Sequence, residues 1–200
     1  VAGLSIKGCD CEPVYMRTSY ANPINFGDVL GAVTFLTRPQ KIVEIGILDG
    51  FSLDVFCSSR EVGAVVEAYD IFDDFNGNHA DYGWLQEKFK GVAELTIAHG
   101  DFYEVFEKYE NASIDLLHID IANDGDIYSF AFGNYIPKLA PGGIMMLEGG
   151  SPERDQVEWM LKYDKPAVSP VLSEFSELYD IRVVGKMPSL TMVKRKVGVV

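Results

Sequence analysis

Hydrophobic positions along this chain switch between two periods. Phe26, Val29, Leu30, Val33 and Leu36 recur at helical spacing, and Pro39 closes that stretch. Ile42, Val43 and Ile45 follow as a short apolar run bounded by polar residues, the pattern of a buried strand. Continued along the chain, the pattern predicts helices over 26–36, 52–59, 84–90, 102–109 and 126–139, and strands over 41–45, 64–69, 94–98, 114–119 and 144–147. Helical stretches near 153–163 and 168–178 come next. Strands over 180–186 and 190–197, joined by Met187-Pro188-Ser189, close the chain. Gly63, Gly91 and Pro141-Gly142-Gly143 punctuate these elements.

Strands that alternate with helices imply an α/β fold with a parallel sheet covered on both faces. The last two strands are separated by a short turn, too short for the crossover that parallel neighbours need, so they must run antiparallel. The expected architecture is a single-domain, Rossmann-like doubly wound sheet of seven strands, mostly parallel, with a C-terminal antiparallel hairpin. Residues 1–24 have no clear period and read as an irregular lead-in to one domain over 25–200; residues 71–82 read as a polar loop.

Composition narrows the partners. The 200 residues carry a formal net charge of −13, which disfavours DNA or RNA and favours a neutral or cationic small ligand. Cys9, Cys11 and Cys57 make neither a disulfide framework nor a zinc-site spacing. No signal peptide is visible and no apolar run approaches the ~20 residues of a membrane span, so a cytoplasmic protein without membrane contact is expected. A homo-oligomer stays open.

The chemistry concentrates after the first strand. Gly46-x-x-x-Gly50-x-Ser52 joins a predicted strand to a predicted helix, where glycines admit a ligand to the backbone and a helix N-terminus offers N–H groups to an anion. Glu44 adds a carboxylate two residues earlier. A dinucleotide fits poorly: counting from Gly46, the second and third glycines of G-x-G-x-x-G are replaced by Leu48 and Phe51.

Glu44-x-Gly46-x-x-x-Gly50-x-Ser52, Asp70, Gly100-Asp101, Asp120 and Pro141-Gly142-Gly143 follow in the order found in class I S-adenosylmethionine-dependent methyltransferases. Over about residues 25–196 the chain resembles that family. The glycine turn looks most like the small-molecule O-methyltransferases of the catechol type. Leu-His118-Ile-Asp120, and the loop from Tyr69-Asp70 to His79-x-x-Tyr82, look like the branch that includes macrolide-sugar (macrocin-type) enzymes. The resemblance implies S-adenosyl-L-methionine as cofactor and a small hydroxylated acceptor or sugar. It implies cofactor contacts from Glu44, Gly46, Gly50, Ser52, Asp70, Ile71, Gly100, Asp101, Phe102 and Asp120. In that reading Gly46, Gly50 and Ser52 cradle the methionine carboxylate, and Asp70, 24 positions after Gly46, takes the ribose hydroxyls. Asp101 and Phe102 meet the adenine.

Methylation of an alcohol also calls for a proton acceptor or a metal. Asp120 and His79 are the candidate catalytic residues; His118, inside the fourth strand, is expected to point into the core. Relatives with a divalent cation use acids after the fourth and fifth strands, often Asp and then Asp-Asn or Asp-Asp. Here the second position reads Glu148-Gly149, so Mg²⁺ at Asp120 and Glu148 would lose one ligand and reach another through an extra methylene. Two other readings share the sheet: an aminopropyltransferase, which Ser52 at the helix start opposes, and a non-catalytic S-adenosylmethionine-binding subunit, which Glu148-Gly149 favours.

Overall fold

The protein is described by a computed structural model over residues 26–74 and 77–196. The lead-in expected at 1–24 lies outside the described residues. The elements in chain order are α1 (Phe26–Thr37), β1 (Lys41–Ile45), α2 (Phe51–Ser59), β2 (Val65–Asp70), α3 (Tyr82–Lys88), β3 (Leu95–His99), α4 (Phe102–Val105), β4 (Ile114–Ile119), α5 (Gly125–Phe130), β5 (Leu139–Glu148), α6 (Glu158–Lys162), α7 (Val168–Phe175), β6 (Tyr179–Gly185) and β7 (Ser189–Arg195).

The strands form one sheet in the order β3-β2-β1-β4-β5-β7-β6. Strands β1 to β5 are parallel, and β7 runs antiparallel to both β5 and β6. This is the expected Rossmann-like architecture with its terminal hairpin. The chain winds outward in both directions from the β1–β4 pair, which makes the carboxyl ends of those two strands the switch point where such sheets bind ligands.

The two central strands are apolar because both their faces are covered. Ile42, Leu116 and Met146 face one core, built with Phe26 and Leu30 of α1, Leu53 and Phe56 of α2 and Leu85 of α3. Val43, Ile45, Leu117, Ile119 and Leu147 face the other, built with Phe102 of α4, Tyr128 of α5 and Leu172 of α7. Burying one such leucine or phenylalanine fully is worth roughly 1.5–3 kcal/mol. The strand period of two places Glu44 beside Ile42 and His118 beside Leu116, on the α1–α2 face.

Several expected elements differ. The single helix over 126–139 is α5, then a π turn at Ala131–Tyr135 and a 3₁₀ turn at Ile136–Lys138. Pro137 has no amide to donate and its ring crowds the preceding turn, which accounts for the changed winding. Pro141-Gly142-Gly143 does not precede the fifth strand but lies inside it: Leu139 pairs with Ile114 and Ile144 with Leu116, so the triplet bulges out, with Gly142 at φ 82°. The helix over 153–163 is divided by extended Val157 into a 3₁₀ turn at Arg154–Gln156 and α6. α4 gives way to a 3₁₀ turn at Phe106–Lys108, and α7 stops at Phe175. No helix among the described residues is long and apolar enough to cross a membrane.

Candidate active site

The turn after β1 is fixed by close packing. A Cβ built on Gly46 would lie 2.0 Å from the Asp120 carbonyl oxygen, and Gly46 sits at φ 90°, so no side chain fits there. The ladder continues past the strand ends: the Gly46 amide donates to Tyr69 O at 2.8 Å and the Asp120 amide to Ile45 O at 2.9 Å. Leu48 holds a left-handed φ of 50°, a conformation that costs a non-glycine residue on the order of 1–3 kcal/mol and collects at ligand sites. Gly50, at φ 73°, precedes α2 and caps it with no side chain. The N-terminus of this nine-residue helix, with its partial positive charge, is a place suited to a carboxylate.

Asp70 ends β2 and is 6% exposed. Its Oδ2 accepts from the Ile47 amide at 2.8 Å and the Leu48 amide at 3.4 Å. Its Oδ1 accepts from the Phe72 amide at 3.0 Å and from Asn78 Nδ2 at 2.5 Å. The carboxylate thus braces the glycine turn against the loop after β2. Ile71 follows it, half-buried at the same rim.

Glu44 and Ser52 do not face outward. Glu44 is fully buried, and its Oε1 accepts from the Ser52 hydroxyl and lies 3.1 Å from His118 Nδ1. Phe56 closes the group edge-on over the His118 ring. Glu44 Oε2 is buried without a hydrogen-bond partner among the described residues. Of the predicted cradle, the Ser52 hydroxyl is therefore spent on Glu44.

The β3 end divides similarly. The Gly100 amide donates to Asp70 O at 3.0 Å. Exposed Asp101 caps α4, its Oδ1 accepting from the Tyr103 amide at 2.7 Å. Phe102 is 4% exposed and stacks on Tyr135 with ring centres 5.3 Å apart, so its faces are spent in the core. The exposed ring at this place is Tyr103.

Asp120 follows β4, partly exposed, and its carboxylate makes no hydrogen bond or ion pair among the described residues. Burial, then the nearby Glu148 carboxylate, push its carboxyl up from the ordinary 3.8 to about 7; Glu44 pushes the same way, while His118 and Arg154 oppose. His79 is exposed in the loop between β2 and α3, next to the Asn78 that holds Asp70. His99 Nε2 lies 2.6 Å from Asp74 Oδ2 on the same side.

The structure thus brings Gly46, Gly50, Asp70, Gly100, Asp101 and Asp120 to one rim, along the carboxyl ends of four neighbouring strands. Residues 43–148, just over half of the chain, match a family described as a methyltransferase domain. The chain belongs to that methyltransferase family.

Solved structures agree with this fold. An O-methyltransferase from Bacillus cereus, determined in complex with SAH, superposes with a TM-score of 0.62 at 16% identity, over 85% of this chain and 80% of that one. The O-methyltransferase TomG from Streptomyces achromogenes, involved in tomaymycin synthesis and determined in complex with SAM, gives 0.61 at 14% identity, over 85% and 79%. Uncharacterized protein y4gI of Sinorhizobium fredii is 30% identical over 122 residues, 54% of this chain; the chain spans 13% of that relative's length.

The expected cation ligands do not form an open set. Glu148, 6% exposed, has both oxygens in a fork with Arg154: Nε to Oε1 at 3.0 Å and Nη2 to Oε2 at 2.9 Å. Among the described residues no group of three or more His, Cys, Asp or Glu side chains is arranged to hold a metal ion. Arg154 escapes a sequence reading because it stands six residues from Glu148, across a segment without period. Asn78 and Asn123 escape it as ordinary loop residues.

Proposed function

We propose that this chain is an S-adenosylmethionine-dependent O-methyltransferase whose 25–200 domain acts on a small hydroxylated molecule or sugar. The observation that carries the reading is the pairing of the α2 N-terminus after Gly50 with Asp120 one strand away, whose carboxylate makes no hydrogen bond or ion pair among the described residues, along a rim braced by Asp70. The SAM and SAH complexes of the structurally similar enzymes support the choice of cofactor.

When bound, the cofactor supplies a methyl group already activated on a sulfonium. The chain's own work is to place the acceptor oxygen in line with that carbon and to exclude water, which is worth up to ~7–11 kcal/mol. The amides at the start of α2 bind the amino-acid carboxylate. Asp70 keeps the turn in its bound shape, and its rim, with Ile71, Gly100 and Asp101, borders the nucleoside. Asp120 takes the acceptor's hydroxyl proton, for which a carboxyl near 7 is well matched at neutral pH. His79, on the exposed loop at the mouth, is the second candidate for that proton.

Calorimetric titration with S-adenosylhomocysteine tests the cofactor assignment. Saturable binding is expected, and no heat of binding at ~1 mM ligand would reject it. A methyl-transfer assay over a panel of hydroxylated acceptors then reads out the acceptor class.

A further inference from the structure

The Glu148–Arg154 fork stands where the resemblance would put a divalent cation. Leu147 is in register with Ile119, so Glu148 and Asp120 continue neighbouring strands side by side. A cation bridging them would need carboxylate oxygens turned toward it. Both oxygens of Glu148 are instead taken by the guanidinium, and the two side chains are 8% and 6% exposed.

That guanidinium is held on its other sides as well. Arg154 Nη1 approaches Met160 Sδ at 3.2 Å, and Nη2 approaches Asn123 O at 3.5 Å. The Trp159 ring centre lies 5.1 Å from the guanidinium carbon. Asn123 in turn donates to Ile119 O at 3.0 Å and Glu148 O at 2.9 Å, which ties the ends of β4 and β5 together beneath the fork. The arginine is packed in place rather than lying across the site from solvent. A metal ion entering here would strip a buried guanidinium of its counter-charge, a heavily penalised state.

We propose that Arg154 is the built-in cation of this site: it occupies Glu148 in place of a divalent metal and leaves Asp120 as the carboxylate that faces the acceptor. Methyl transfer then requires no metal. The proton passes from the acceptor hydroxyl to Asp120, and the new oxygen–carbon bond forms as the sulfur–carbon bond breaks. The catalytic consequence rests on the function proposed above; the exclusion of the metal rests on the fork alone.

Mn²⁺ titration separates the two. Free Mn²⁺ is read by electron paramagnetic resonance for the unmodified chain, Asp120→Asn and Arg154→Met, each with and without S-adenosylhomocysteine. The unmodified chain and Asp120→Asn should take up Mn²⁺ alike, with no saturable site tighter than ~1 mM. Arg154→Met, which frees Glu148, should bind roughly tenfold more tightly than the unmodified chain. A saturable site in the unmodified chain that Asp120→Asn weakens tenfold or more would overturn the proposal, and so would a folded Arg154→Met that gains no affinity. Should Arg154→Met not fold, the comparison with Asp120→Asn decides alone. Failure of S-adenosylhomocysteine to bind would strike the proposed function and leave the Mn²⁺ result standing.

Discussion

The Asp70 carboxylate holds the backbone of Ile47: Oδ2 accepts the Ile47 amide at 2.8 Å, across the gap between the ends of β2 and β1. With the Gly46–Tyr69 ladder bond it shapes the glycine turn from the β2 end, because the same oxygen reaches the strained Leu48 and Oδ1 holds Phe72 and Asn78.

Asp70→Ala should therefore act twice. It leaves buried amides without an acceptor, which costs about 1–3 kcal/mol of stability. It also loosens the turn, and S-adenosylhomocysteine affinity should fall by at least ~1 kcal/mol. Urea denaturation and calorimetry read the two separately. Unchanged affinity in a destabilised variant would confine Asp70 to folding.

Gly46→Ala tests the close approach to β4. The added methyl would meet the Asp120 carbonyl oxygen at 2.0 Å, from a backbone at φ 90° that alanine rarely adopts. The expected loss is about 3 kcal/mol or more, since strain and clash add. A melting temperature within a few degrees of the unmodified chain would mean the turn has room to yield.

Ser52→Ala separates hydroxyl from amide. The hydroxyl donates to buried Glu44, whereas the amide belongs to the first turn of α2. The substitution should lower stability by about 1–3 kcal/mol and leave S-adenosylhomocysteine affinity within roughly threefold. A large loss of affinity at unchanged stability would show that the hydroxyl serves the ligand.

The sequence carries the sheet plainly and the site unevenly, and the reason is the range of each interaction. Ile42–Ile45 and Ile114–Ile119 are legible because burial on both faces imposes apolar runs that periodicity detects. Gly46 is legible because a turn that close to β4 admits no side chain. The Glu44–His118 contact is not, although the two are direct neighbours across the β1–β4 pair, because that register exists only once strands 74 positions apart are aligned. Phe102 looks like a ligand contact by position, but Tyr135 arrives from the far side of the π turn and stacks on it. The Arg154 fork is least legible, since the six positions from Glu148 to Arg154 carry no period that would bring the two side chains together.

The pH dependence follows from Asp120. Its carboxyl is raised from 3.8 to about 7 by burial and by Glu148, with Glu44 adding to the shift and His118 and Arg154 reducing it. Below about pH 4 the folded and unfolded chains both hold this proton, and the group costs nothing. Between about 4 and about 7 the unfolded chain has released the proton while the folded chain retains it, so stability falls as pH rises; beyond about 7 this slope ends. Asp120→Asn cannot titrate and should flatten the slope of melting temperature against pH across that window, gaining on the unmodified chain toward pH 7. The catalytic effect has the opposite sign. Asp120 accepts a proton only when ionised, so methyl transfer by the unmodified chain should rise as pH climbs through about 7, and Asp120→Asn should lose that limb together with ~10²–10⁴-fold in rate. Parallel melting curves for the two chains from pH 4 to 8 would place the Asp120 proton affinity at its ordinary value. The base would then have to be sought at His79, where His79→Ala should lower the methyl-transfer rate.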